Sequence, residues 1–204
     1  MERRELLKLI AAATGTAFVG GAAFAYEQRA AVNLHDTGFS ELDVAFLNEV
    51  GDVILPKTDT PGAKEANVGA MMVVFAADCY TASERQAFRD GLTQLNSYSK
   101  EKLNKDFLLL TAEQKLQLLT GLDTEARRYN AEHGVYRNET ARPDSQNRAS
   151  PVPVPHYFTL FKQLTLYSFF TSQIGATKVL RYSAIPGRYD GDMPYQKGDR
   201  AWAT

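Results

Sequence analysis

The sequence predicts an all-α fold: a bundle of about five or six helices followed by an irregular, aromatic C-terminal arm. Three observations carry this. Ser40/Asp43, Thr81/Glu84 and Thr111/Gln114 each set a hydroxyl residue three positions ahead of an acid or amide, the spacing of a helix-starting capping box. Behind these starts, apolar residues recur every three or four positions, one turn of an α-helix. No stretch reads as a confident strand, and no repeat occurs at solenoid spacing.

The chain opens MERRELLKLIAAATGTAFVGGAAFA, and residues 1–25 read as an export leader. Arg3, Arg4 and Lys8 give a basic start, Leu9 to Tyr26 carries no charge, and Ala23-Phe24-Ala25 is a small-x-small cleavage pattern. Arg3-Arg4 followed by Leu6, Leu7 and Lys8 is similar to the twin-arginine signal, and the weakly apolar Ala/Gly/Thr core fits that class. The alternative is an uncleaved anchor, for which Leu9 to Tyr26 is barely long enough to span ~30 Å of hydrocarbon. The twin-arginine route moves folded proteins, usually because a cofactor inserted before export holds the native state together. The rest of this chain is therefore expected to show a cofactor site.

Residues 26–39 read as a linker, and residues 40–182 as the helical domain. The first helix starts at Ser40, carries Leu42, Phe46, Val50 and Val53 at spacings of three or four, and ends before Pro56. PKTDTPGAKEANV is turn chemistry. Gly69 to Tyr80 is apolar almost all round and predicts a buried helix. Thr81 starts a helix to about Asn104 with Phe88, Leu92, Leu95 and Leu103 on one face. Thr111 starts another to about His133, where Gly134 supplies a stop. Val135 to Pro155 is a long polar connection whose closing prolines favour extended chain. YFTLFKQLTLYSFFTSQIG predicts a strongly aromatic helix, and a short helical piece through Leu180 follows Gly175. Residues 183–204 show no period and form the arm.

Charge and composition narrow the function. Lys and Arg total 23 against 24 Asp and Glu, a net charge of −1, which gives no basic surface for nucleic acid. Cys79 is the only cysteine, so the chain alone builds no disulfide and no cysteine-held metal cluster. His35, His133 and His156 share no helical spacing that would pair them on a metal. Asp190, Asp192 and Asp199 lack the spacing of a calcium loop. The glycines of GTAFVGG fall inside the leader without the context of a phosphate loop, and no Gly-x-Ser-x-Gly elbow occurs. No catalytic, cofactor or metal residue is assigned. A carboxylate or histidine site assembled only in the fold stays open, which would make the chain a self-sufficient periplasmic enzyme.

What stands out is aromatic surface. Tyr157, Phe158, Phe161, Tyr167, Phe169 and Phe170 crowd one helix, and Tyr189, Tyr195 and Trp202 mark the arm. An all-round apolar helix is central in its own domain or buried against another chain, and Tyr and Trp suit interfaces. These residues are the expected partner-binding set, with an arm that wraps its own bundle as the alternative.

FLNEVGDVILPKTDTPGAKEANVG (46–69), LTLYSFFTSQIGATKVLRY (164–182) and PGRYDGDMPYQKGDRAWAT (186–204) together resemble the gluconate 2-dehydrogenase subunit 3 family, which includes the small or gamma subunit of bacterial flavin-dependent sugar dehydrogenases. The resemblance implies a non-catalytic partner of a large glucose-methanol-choline type oxidoreductase. That partner binds FAD and oxidises a sugar or sugar acid, and a c-type cytochrome often accepts the electrons. It also implies that the small subunit supplies the export signal for the large one. A transient export chaperone is the remaining alternative.

Overall fold

Helix α1 spans Glu41–Ile54, α2 Val68–Asp78, α3 Ala82–Leu103, α4 Ala112–Glu132 and α5 Tyr157–Phe170. Short 3₁₀ turns cover Leu34–Asp36 and Phe107–Leu109, and a π turn covers Gly175–Val179. These elements come from a computed structural model that describes residues 34–135, 153–185, 187 and 190–203. The leader, most of the predicted linker, Tyr189 and most of the polar connection before Pro155 lie outside the described residues. The all-α expectation holds: among the described residues the only β pairing is an isolated bridge between Arg181 and Trp202.

All three predicted capping boxes form. The Asp43, Glu84 and Gln114 backbone N–H groups donate to Ser40, Thr81 and Thr111, and the Asp43, Glu84 and Gln114 side chains accept the reciprocal N–H bonds. Each box satisfies backbone donors that an α-helix leaves orphaned at its start. At the other ends, Asn104 and Gly134 take positive φ and stop α3 and α4. Helix α5 ends five residues earlier than the aromatic pattern suggests. The hydroxyls of Thr171 and Ser172 bond back to the Tyr167 and Phe169 carbonyls, competing with the helical ladder.

The turn between α1 and α2 is closed, not loose. The Ala63 N–H donates to the Leu55 carbonyl at 2.9 Å, and Lys57 pairs with Glu65 at 2.8 Å across its mouth. A side chain on Gly62 would put Cβ 2.6 Å from the Lys57 nitrogen, so the backbone crosses itself only at glycine. Asn48 then ties α1 to α2, donating to the Asn67 side chain at 2.7 Å and accepting the Gly69 N–H at 2.8 Å.

The core is organised by α5, which touches each of the other four helices. Phe161 on α5 meets Phe88 on α3 edge-on at 4.9 Å, and Phe46 on α1 meets Phe107 at 5.1 Å. Sequence reasoning missed the Phe107 turn, whose fully buried ring is held by the Phe107 N–H donating to Asn96 at 2.9 Å. The end of the predicted linker is also part of this packing. Phe39 is buried, 5.8 Å from Phe88, and the Arg89 guanidinium lies 4.7 Å above its ring.

Helix α5 is entered through a half-buried histidine. The His156 N–H donates to Asn130 Oδ1 at 2.9 Å, and its Nδ1 accepts the Phe158 N–H at 3.2 Å, capping the helix. Burial holds the His156 pKa below its ordinary 6.5, with the Glu125 carboxylate opposing weakly. The folded state therefore binds the proton less readily than the unfolded chain. The stability that follows is complete above about pH 6.5 and is lost as pH falls toward the lower folded pKa. A melting series from pH 7.5 to 5 should show this loss in the wild type and much less of it in His156→Asn, which caps without titrating. Close packing gives a second expectation. A Cβ on Gly91 would sit 2.7 Å from Tyr157, whereas one on Gly121 meets only the Tyr98 hydroxyl, at 3.9 Å. Gly91→Ala should lose about 1–2 kcal/mol in urea unfolding despite its better helix propensity, and Gly121→Ala should gain about 0.5–1 kcal/mol.

Candidate protein-protein interface

The aromatic residues of α5 divide by the side of the helix they occupy. Tyr157, Phe158, Phe161 and Phe169 point into this chain's own core and are buried. That corrects the expectation that they meet a partner: four neighbouring helices already cover them. Tyr167 and Phe170 point outward, 54% and 39% exposed, with Leu166 beside them at 40%.

The outward residues join a patch that spans two helices. Phe75 of α2 packs edge-on against Tyr167 at 4.8 Å, and Met71, one turn earlier on the same side of α2, is exposed. A shallow groove of about 580 Å³ lies alongside, lined by Tyr80, Leu164, Leu166, Tyr167 and Phe170 among others, with no charged side chain. The Tyr80 hydroxyl has no bonding partner and is shielded from water; burial, with the nearby Glu84 carboxylate, pushes its pKa well up. Met71 and Phe75 were not singled out from the sequence. Both α2 and α5 are apolar all round, so their patterns do not say which side the bundle leaves open.

The arm carries a second set. Tyr195 and Trp202 are exposed, together with Tyr182, Ile185 and Met193. It is less irregular than its sequence suggests, because its far end returns to pair with Arg181.

The remaining polar clusters are internally matched. Glu49 lies between Lys115, at 2.6 Å, and Lys64, and these two contacts hold its carboxyl below the ordinary range. A cleft of about 700 Å³ between α4 and α5 has Asp123 in its lining. Burial pushes the Asp123 carboxyl up, but Lys162 at 2.5 Å and Arg127 at 2.7 Å more than offset it, so the group stays below the ordinary range. The Glu49–Lys115 and Asp123–Lys162 pairs each join two helices. His133 stacks on Tyr129 at 3.9 Å with its Nδ1 2.8 Å from the Tyr129 carbonyl oxygen. Cys79 is exposed at the end of α2. Asp199 is ion-paired with Arg181 at 2.9 Å. Among the described residues, no three His, Cys, Asp or Glu side chains converge as a metal site.

The family model described as Gluconate 2-dehydrogenase subunit 3 matches residues 41–187. Neither a curated protein nor a solved structure matches the chain.

The inward and outward aromatics should differ sharply when truncated. Phe161→Ala is expected to cost about 3–5 kcal/mol of folding stability through the cavity it leaves. Tyr167→Ala, on the open side, should cost under about 1 kcal/mol. Equal losses in denaturant unfolding would show that the patch belongs to the core.

Proposed function

Because the chain belongs to the gluconate 2-dehydrogenase subunit 3 family, we propose that it is the non-catalytic small subunit of a periplasmic, FAD-dependent sugar or sugar-acid dehydrogenase complex. Its partner is a large flavoprotein of the glucose-methanol-choline type, which binds FAD and performs the oxidation. A c-type cytochrome is the further partner to which the electrons pass. The observation that carries this reading is the uncharged apolar patch of Met71, Phe75, Leu166, Tyr167 and Phe170 on a bundle whose interior is otherwise filled by its own side chains. Exposed patches of this kind mark protein contacts.

The leader is the second support. A folded-protein export signal is accounted for if the prefolded cargo is the FAD-loaded partner and this chain carries the address. Arg3, Arg4, Leu6, Leu7 and Lys8 then bind the export machinery, and Ala23 and Ala25 mark the cleavage site. Holding a pair together at roughly micromolar concentration through export calls for nanomolar affinity, about −12 kcal/mol. Obligate interfaces of that strength usually bury ~2,000 Å² or more.

Co-expression of the flavoprotein with and without this chain tests the reading. Periplasmic flavin and dehydrogenase activity should fall to background without it, and replacing Arg3 and Arg4 by Lys should strand both proteins in the cytoplasm. Equal periplasmic flavoprotein in all strains sinks the proposal. Recovery of both chains in one periplasmic complex separates a lasting subunit from a helper that leaves after export.

A further inference from the structure

After Arg181 the chain leaves the bundle, and after Arg200 it comes back to the residue it left from. The Arg181 N–H donates to the Ala201 carbonyl at 2.8 Å, and the Arg181 carbonyl accepts the Ala203 N–H at 2.8 Å. The Arg181 side chain closes the same point twice more, pairing with Asp199 at 2.9 Å and lying 5.6 Å from the centre of the Trp202 ring. Asp199 is also the hub of the returning turn. Its carboxylate accepts the Gln196 N–H at 2.9 Å, and its own N–H donates to the Gln196 carbonyl at 2.9 Å across Gly198, whose φ is +98°. Arg200 donates to the Lys178 carbonyl at 3.1 Å and so fixes the return strand to the π turn, where Val179 packs on the core.

Pinning both ends of a segment this long lowers its entropy, yet the side chains displayed are apolar and uncovered. Ile185 is 85% and Tyr195 75% exposed, with Tyr182 and Met193 between and beside them. A loop held in shape before it meets its target loses less entropy on docking. Asp190, Asp192, Lys197 and Arg200 give it charges of both signs, not the basic run that would suit an anionic lipid surface.

We infer that the described residues on either side of this clamp, Tyr182 to Ile185 and Asp190 to Arg200, form a preorganised docking surface for the large flavoprotein subunit, with Arg181 as the positioning residue that shapes it through Asp199 and Trp202. The inference rests on the subunit reading above. The occupant is a folded protein surface with an apolar recess that takes Ile185 and Tyr195.

The test uses the full chain co-expressed with the flavoprotein, the purification handle being on the flavoprotein. Arg181→Ala and Asp199→Asn open the clamp, and Tyr195→Ala removes a displayed ring without opening it. Three readouts are compared: complex dissociation on dilution, amide exchange at Arg181 and Ala203, and melting of the helices. The clamp variants should lose protection at those two amides and bind at least tenfold more weakly, with helix melting unchanged. Tyr195→Ala should weaken binding while keeping the amides protected. Clamp variants that exchange freely yet bind as tightly as wild type overturn the inference and leave the subunit reading standing. Clamp variants whose helices melt earlier in step with the binding loss also overturn it, because the loop then belongs to the core. Wild-type chain that captures no flavoprotein overturns the subunit reading itself.

Discussion

The structure depends on hiding α5. Its apolar residues cover every side, so no single partner helix is enough, and four are recruited. Gly91 lets α3 approach to the Tyr157 ring, and the Phe88–Phe161 contact fills the space behind it. Several polar groups carried in with α5 are matched locally or by close neighbours, while the buried Ser168 hydroxyl has no partner. The Thr165 hydroxyl donates to the Phe161 carbonyl at 2.8 Å, and buried Asn130 donates to Thr159 at 2.8 Å while accepting the His156 N–H. A buried amide left unpaired would cost more than the contact gains, so Asn130 also fixes where α5 can begin.

Because four helices are just enough to cover most of α5, the uncovered remainder is informative. Tyr167, Phe170 and Leu166 are the part of that circumference left over, and Phe75 and Met71 extend it onto α2. Charged pairs lie elsewhere, joining elements: Glu49 links α1 to Lys115 on α4, and Asp123 links α4 to Lys162 on α5. Exposed pairs contribute little on their own, but Lys115 is nearly buried, and losing Glu49 would leave its charge uncompensated.

The segments that resemble the family turn out to be devices of backbone geometry. Gly62 permits the chain crossing in the α1–α2 turn, and Asn67 takes a left-handed conformation that Asn48 secures. Gly175 lies where any Cβ would fall 2.0 Å from the Phe169 carbonyl oxygen, which allows the tight π turn leading to Arg181. In the 46–69 and 164–182 segments a glycine thus lets the backbone approach itself closely.

The sequence by itself determined the helix starts, since a capping box is a contact between residues three apart and needs nothing from the rest of the chain. It also determined that α2 and α5 would carry apolar residues on every side, and that Gly134 and Asn104 would lie near helix ends. Only the tertiary structure decided which aromatics face inward, because a helix without a polar side carries no record of its own orientation. The Phe107 turn, the docking of Phe39 on α3 and the return of the arm to Arg181 were likewise invisible. Each depends on residues far apart in the chain meeting through a bond, a ring contact or an ion pair, and no local period encodes such a meeting.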